Sequence, residues 1–285
     1  DSYWLAEPLR TVFNHSHNLY IDGGDQNMQY GIGVNYGNEK GVMKGSDRDI
    51  VGGNIQVRYR KGSFTFANNF NMSLVNSATE PVSFSLFANA NPYYRKRNPD
   101  GSVPLLLEDI DIAGQSIYNP LALFNIPNTN KTNDLTFSDQ IDLTWRFWNA
   151  FTIKGTFGIS NNSSETEAFQ SPDHPDFIGS LADKKGLYTT SKTNNFSYNG
   201  RIVFSYGKLF GAHHNFSANA AWDFSNKDTK RGGYSVSGFV GNQHQNPEFS
   251  AGFNQGDKPE YSTTRARSTG FLFSANYAFK SRYML

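Results

Sequence analysis

The sequence predicts an all-β fold, an antiparallel transmembrane β-barrel of which about nine strands lie within these 285 residues. Two observations support this prediction. Apolar and polar residues alternate at period two along about nine segments, the pattern of strands with one apolar and one polar face. The connections between these segments are alternately short and long, as in barrels that have tight turns at one end and long loops at the other. We therefore expect residues 1–285 to be part of one transmembrane barrel domain.

The first four predicted strands lie within the first 74 residues. Between residues 28 and 36, the even positions hold Met, Tyr, Ile, Val and Tyr, whereas the odd positions hold Gln, Gly and Asn. The same alternation occurs in 51–60 and in 64–74, and a weaker version occurs in 13–22. Each segment is expected to form a strand with one apolar face.

Five more strands are predicted in the rest of the chain. In 135–147, apolar residues occupy the odd positions except at Asp139, which interrupts the apolar face. The remaining four segments with this alternation are 151–159, 196–206, 216–224 and 271–279.

The connections define the two ends of the predicted sheet. Short, turn-forming connections are rich in Gly, Asn and Asp, and they are expected at 23–26, 61–63, 148–150 and 208–214. Long loops hold most of the proline and are expected at 37–49, 76–133, 161–194 and 225–267.

A soluble β-sandwich shows the same alternation, so it must be weighed against a membrane barrel. The predicted strands are longer than the usual ~5 to 6 residues. Aromatic residues also lie at the strand ends, as at Tyr36, Tyr59 and Trp145, where membrane barrels carry aromatic girdles. Both features favour the membrane barrel.

Composition excludes several classes of function. The net charge is +1, so the chain lacks the basic surplus of a dedicated nucleic-acid binder. It contains no cysteine, which excludes disulfides and thiolate chemistry. Aromatic residues make up 15% of the chain although its mean hydropathy is −0.58, an unusual combination for a compact soluble core.

No catalytic or metal-binding pattern is evident. His15 and His17 have a spacing that a metal could use, but no third ligand is identifiable. The acidic groups 47–49 and 108–111 lack the spacing of a calcium loop, and His213 and His214 lie in a predicted turn. We therefore expect no enzyme activity, no cofactor and no metal. A barrel-borne hydrolase would instead require a serine near one of the histidines His174, His213 or His244.

The candidate binding residues are aromatic and basic residues in predicted loops. Tyrosine faces stack on sugar rings or peptide groups, and arginine donates planar hydrogen bonds to carboxylates or hydroxyls. The strongest cluster contains Tyr93, Tyr94 and Arg95, and weaker candidates are Tyr118 and Trp4. Loop packing is the competing explanation for all five.

Several stretches, taken together in this order, resemble one known family. They are Trp4-Leu5 with Arg10, 17–19 running to Gly23-Gly24, Tyr30, Tyr36, 39–46, and 277–285. In these stretches the chain resembles the SusC/RagA family of TonB-dependent outer-membrane transporters, and the order fits over the whole 285 residues.

The resemblance implies a 22-stranded barrel plugged by an N-terminal domain. TonB would energise it through an N-terminal part that this sequence lacks, and a SusD-like surface lipoprotein would cover its outer mouth. Two such pairs would commonly assemble as a dimer. The implied location is the outer membrane of a Gram-negative bacterium of Bacteroidetes type, with the apolar face against lipid.

The implied activity is TonB-dependent import of a bulky nutrient, either an oligosaccharide or a peptide. A passive outer-membrane porin or adhesin barrel without energy coupling is the alternative. Because about nine strands cannot close a barrel of that size, we expect the chain to be a segment of a longer polypeptide.

Overall fold

The computed structural model describes residues 2–79, 82–110, 115–242, 245–280 and 282–284. These contain two short helices and twelve strands. The strands and helices, in chain order, are β1 (His15–Gly24), β2 (Met28–Lys40), β3 (Asp47–Lys61), β4 (Phe64–Ala78), α1 (Phe84–Ala88), β5 (Leu106–Ile110), β6 (Gln115–Tyr118), α2 (Pro120–Asn125), β7 (Thr129–Phe147), β8 (Phe151–Gln170), β9 (Leu187–Phe210), β10 (His214–Ser237), β11 (Glu260–Phe279) and β12 (Tyr283–Met284).

Ten of the strands form a single antiparallel sheet in the order β1-β2-β3-β4-β7-β8-β9-β10-β11-β12. Each strand pairs with the next one along the chain, except that the small hairpin β5–β6 lies apart between β4 and β7. Within the described residues the sheet is open, with β1 and β12 at its edges. All nine strands predicted from alternation are present.

Four long strands extend well beyond their predicted ends. The predicted loops 161–194 and 225–267 are wrong in extent, because β8 continues to residue 170, β9 begins at 187, β10 continues to 237 and β11 begins at 260. In these extensions polar residues lie on both faces, while the backbone ladder continues. A sheet that leaves the apolar belt loses the alternating signal without losing its hydrogen bonds.

The tight turns between β3 and β4, β7 and β8, and β9 and β10 span two or three residues and use positive φ angles. Gly62 has φ 57° between β3 and β4, and Gly211 has φ 59° between β9 and β10. Between β7 and β8, Trp148 and Asn149 have φ 49° and 51°. Positive φ angles of this kind are common in short hairpin turns.

The apolar face of the sheet is exposed. Phe271 and Phe273 on β11 are 80% and 74% exposed, and Phe204 on β9 is 52% exposed. In a soluble sandwich these side chains would be covered by a second sheet. Apart from Ala221 on β10, the described buried apolar side chains instead form two small clusters at the loop end of the sheet, one in the long β4–β7 connection and one at the ends of β8, β9 and β10. A continuous exposed apolar belt of this size indicates contact with lipid.

Neither of the described helices is long and apolar enough to cross a bilayer. Both are short loop helices with capped N-termini. Ser83 caps α1 by accepting a hydrogen bond from Ser85 N, and Asn119 caps α2 by accepting one from Leu121 N. They help to order the long connection between β4 and β7.

Candidate functional site

The long β4–β7 connection packs against the segment that precedes β1. Trp4, from that segment, is only 3% exposed and lies in a cluster with Val82, Phe87 and Leu121. Its indole Nε1 donates a hydrogen bond to Asn91 O at 3.1 Å. We name this unit the loop platform, made of residues 2–10, 82–110 and 115–126. The aromatic ring of Trp4 holds its two parts together.

Polar contacts reinforce the loop platform. Lys96 Nζ donates to Glu7 Oε1 at 2.7 Å and to Tyr3 O at 3.0 Å. The side chains of Lys96 and Glu7 are 25% and 24% exposed, so solvent screens this ion pair only in part. The amide of Asn119 is fully buried and donates to Lys96 O at 3.0 Å. Lys96, which lies between Arg95 and Arg97, therefore orders the loop platform.

The structure separates the five candidate binding residues by exposure. Tyr93 is 83% exposed, and Arg95 is also exposed. Tyr94 and Tyr118 are partly buried, and Tyr94 packs against the platform cluster while its hydroxyl donates to Glu108. Trp4 is buried, a position in which it orders the loop. Tyr93 and Arg95 thus form the accessible part of the predicted site.

The backbone presents Tyr93 in a fixed turn. Asn91 Oδ1 accepts a hydrogen bond from Tyr93 N at 3.0 Å, and Asn91 O accepts one from Tyr94 N at 3.1 Å. Asn91 O also accepts the Trp4 indole. The exposed phenol is therefore attached to the buried cluster through one residue, which limits the entropy lost when a ligand stacks on it.

Sequence reasoning did not identify a second ordered loop cluster at the same end of the sheet. It contains Phe169, Tyr188, Val236 and Phe239, each less than 10% exposed. The rings of Phe169 and Phe239 meet edge to face with their centroids 5.1 Å apart. Alternation at Phe169 and at Tyr188 was the available signal, but both residues fell within the predicted loop. The cluster joins the β8–β9 and β10–β11 connections.

Glycine permits this second cluster to close. Gly186 has φ 72°, and a Cβ there would lie 3.2 Å from Phe239 Cβ and from Pro172 Cδ. Any L-residue at this position would be strained by its backbone conformation as well as by the contact. The β8–β9 connection can therefore approach Phe239 closely only because residue 186 has no side chain.

The histidines and acidic groups form no metal site within the described part of the chain. No group of three His, Asp or Glu side chains there could hold an ion. His15 and His17 pack edge to face, with ring centroids 5.4 Å apart. Asp47 is paired with Arg10 at 2.6 Å. Asp111, from the acidic stretch, lies outside the described residues.

The histidines named for a barrel-borne hydrolase have other environments. His174 caps a short helical turn by accepting a hydrogen bond from Asp176 N at 3.3 Å. His214 Nδ1 lies 2.6 Å from the hydroxyl of Tyr277, and His213 belongs to a tight turn. His244 lies outside the described residues.

The polar face carries cross-strand pairs of hydroxyl and amide groups. Ser160 and Ser197 are 2.8 Å apart between β8 and β9, and Ser225 and Ser268 are 2.7 Å apart between β10 and β11. Nearer the tight turns, Arg201 on β9 pairs with Asp223 on β10 at 3.2 Å. This face is lined mainly by groups that can form hydrogen bonds, as a barrel interior is.

No family model matches the sequence. The chain is 22% identical over 291 residues to TonB-dependent receptor P26 of Formosa agariphila. That alignment covers 99% of this chain and 28% of the receptor. The chain therefore spans less than a third of the length of the curated relative that it matches.

Solved structures show the same fold. The structural alignment with the RagAB peptide transporter has a TM-score of 0.72 at 14% sequence identity. It covers 99% of this chain and 32% of the transporter chain. The alignment with the closed-closed state of the RagAB peptide importer has a TM-score of 0.73 at 16% identity and covers 98% of this chain and 31% of the importer chain. The alignment with the siderophore receptor PiuA of Acinetobacter baumannii has a TM-score of 0.51 at 12% identity and covers 93% of this chain and 38% of the receptor chain.

At these identities the likeness is one of fold. It confirms the predicted transmembrane antiparallel barrel and the resemblance to barrels of the SusC/RagA type. The predicted location in the outer membrane is confirmed with it. The relatives are named as receptors, transporters and importers, which supports a role other than catalysis.

Proposed function

We propose that this chain, whose fold is that of a SusC/RagA-type TonB-dependent barrel, forms part of the wall of a nutrient importer. The observation that supports this most directly is the exposed apolar belt on one face of nine long, sequentially paired strands, with a polar face behind it. Such a wall has one side for lipid and one for a hydrated passage. In this proposal residues 1–285 belong to one barrel domain.

The proposed activity is TonB-dependent import of a bulky nutrient. TonB would act through a part of the polypeptide outside this chain, and a SusD-like surface lipoprotein would cover the loop end. Two transporter–lipoprotein pairs would form the dimer. The RagAB likeness supports a lipoprotein-paired transporter, since it covers nearly all of this chain.

Tyr93 and Arg95 are the residues that we propose to contact cargo or the covering lipoprotein. Both are exposed on the surface of the ordered loop platform, at the loop end of the sheet. The cargo would be an oligosaccharide or a peptide, because a phenol can stack on either and a guanidinium can bind the hydroxyls or carboxylates of either. The partly buried Tyr94 and Tyr118 would hold the backbone that presents Tyr93 and Arg95.

The test is uptake by cells that carry the complete gene, with and without functional TonB. Labelled oligosaccharides and labelled peptides are supplied separately. Accumulation of one class that requires TonB would support the importer and identify its cargo. Equal accumulation without TonB would instead support a passive porin, and binding without accumulation would support an adhesin.

The binding surface is tested in the same cells with Tyr93→Ala and Arg95→Gln. Each should reduce uptake at low cargo concentration while barrel abundance is unchanged. Tyr261→Ala is the matched control, because Tyr261 is 72% exposed but lies on β11, away from the loop platform. Equal losses in the control and in Tyr93→Ala would contradict a binding role for Tyr93.

A further inference from the structure

A basic cluster lies beyond the apolar belt on the same face of β10 and β11. The register between these strands is continuous from the pair His214–Phe279 to the pair Gly233–Glu260. Alternate residues therefore keep their face along the whole hairpin. Arg267 and Arg265 lie four and six residues from Phe271, on its apolar, lipid-facing side of the sheet.

Neighbouring side chains on β10 hold both arginines through Nε. Arg265 Nε lies 2.5 Å from Asp228 Oδ1, and Arg267 Nε donates to Asn226 Oδ1 at 3.1 Å. Bonds made at Nε leave the two terminal nitrogens of each guanidinium for another partner. The side chain of Arg265 is 52% exposed. Successive same-face residues on a strand are about 7 Å apart, a spacing that one phosphate group can bridge between two guanidinium groups.

The cluster carries a local excess of positive charge. Lys230 is also exposed on this face, two residues beyond Asp228. This stretch of the face therefore holds three cations and a single carboxylate. On the same face of the neighbouring strands β8 and β9, by contrast, Lys192 is paired with Glu165 at 2.9 Å.

The height of the cluster matches the headgroup layer of the membrane. Trp222 and Phe271 stack with ring centroids 6.0 Å apart and an interplanar angle of 6°, and aromatic residues of this kind mark the membrane interface. Arg267 is four residues further along the strand, which is about 13 Å along a strand and about 10 Å along the membrane normal at the usual barrel tilt. Arginine at that height faces lipid headgroups and their phosphates.

We propose that Arg265 and Arg267 form a binding site for the phosphate group of an outer-leaflet lipid. Lys230 adds to the local positive potential, while Asp228 and Asn226 orient the two guanidinium groups. The planar forks of arginine match the oxygens of a phosphate, which gives paired hydrogen bonds as well as charge attraction. The proposal depends on the placement of the apolar face against lipid and is independent of any cargo or energy source.

The test compares lipid retained by the complete protein after mild detergent extraction from its outer membrane. Native mass spectrometry identifies the bound lipid in wild type, in the double variant Arg265→Gln/Arg267→Gln, and in Lys227→Gln. Lys227 is exposed on β10, the strand paired with β11, but it lies on the polar face, so its variant is the matched control. Loss of a charge-assisted hydrogen bond lowers affinity about tenfold for each arginine, so the double variant should retain little lipid.

A second measurement needs no variant. Wild-type protein is stripped of lipid and offered the phosphorylated and the dephosphorylated form of one outer-leaflet lipid, and inorganic phosphate is added as a separate competitor. We expect a preference of about tenfold or more for the phosphorylated lipid. Equal binding of the two forms would overturn the proposal, as would wild-type retention in the double variant or equal loss in Lys227→Gln. Binding of inorganic phosphate as tight as that of the lipid would overturn the assignment to a lipid.

Discussion

Asn68 on β4 donates a hydrogen bond to Asp139 on β7 at 2.5 Å, within the apolar face of the sheet. Asp139 lies beside Phe70 on one neighbouring strand and Ile159 on the other. This carboxyl was the one polar interruption of the apolar alternation in its strand, and the structure supplies it with a partner. The amide satisfies an acceptor that would otherwise face hydrocarbon, where an unsatisfied polar group is costly.

We expect Asn68→Ala to destabilise the barrel by about 1–3 kcal/mol, because Asp139 then loses its hydrogen-bond donor in a lipid environment. Thermal unfolding of the complete protein in detergent, followed by its mobility on gels with and without heating, measures the change. The double variant Asn68→Val/Asp139→Val should recover most of the loss, since it removes both polar partners together. A double variant less stable than Asn68→Ala would show that the pair has another role.

Phe224 on β10 covers Gly200 on β9, its direct cross-strand partner. A Cβ at position 200 would lie 2.1 Å from Phe224 Cζ, so the ring occupies the space of the missing side chain. We expect Gly200→Ala to cost about 1–3 kcal/mol through overpacking. Adding Phe224→Leu should recover part of this cost, because the shorter side chain leaves room. Gly207→Ala is the control in the same strand, since no atom lies within 4 Å of a Cβ there.

Trp4→Ala should release the loop platform without unfolding the sheet. Truncation of a buried tryptophan costs about 3–5 kcal/mol, and here the cost applies to one loop unit. The exposed Arg95 and Arg97 provide sites for trypsin in the same loop. Cleavage there should accelerate about 100-fold or more, because each 1.4 kcal/mol changes the open population about tenfold.

Two variants control for this effect. Trp4→Phe should be cleaved much more slowly than Trp4→Ala, because most of the apolar contact remains. Tyr93→Ala should leave cleavage unchanged, since Tyr93 is exposed and outside the buried cluster. Unchanged cleavage in Trp4→Ala would show that the loop does not depend on this ring.

The sequence predicted the strands where the membrane constrains them and missed structure where it does not. In β8 the apolar alternation ends near Ile159, but the strand continues to residue 170 on backbone hydrogen bonds. The loop clusters were missed for another reason. Trp4 meets Phe87 through a contact more than 80 residues apart in the chain, which no local pattern encodes. The exposure of Tyr93 and the burial of Trp4 follow from that packing, although both were candidates of the same chemical kind.

The β1–β2 turn should show a pH dependence that originates from Asp25. Its carboxylate accepts hydrogen bonds from Met28 N at 2.8 Å and Asn27 N at 2.7 Å. These backbone bonds, that of Met28 foremost, hold the pKa of Asp25 below its usual value. A carboxyl with a lowered folded-state pKa stabilises the fold above its unfolded pKa, and the contribution disappears as the pH falls through the folded value.

Asp25→Asn isolates this pH dependence, because it keeps a side-chain acceptor but cannot titrate. Near neutral pH the Tm of the wild type should be higher than that of Asp25→Asn. This difference in Tm should shrink as the pH falls from about 5 to about 3, where an aspartate titrates. Asp25→Ala removes the acceptor as well, so it should melt below Asp25→Asn by a margin that does not change with pH. A wild-type advantage that persisted to the lowest pH would mean that the charge of Asp25 does not stabilise the turn. The same scan would then assign the turn's order to the backbone geometry at Gly24, which has φ 132° and where a Cβ would lie 2.0 Å from Met28 O.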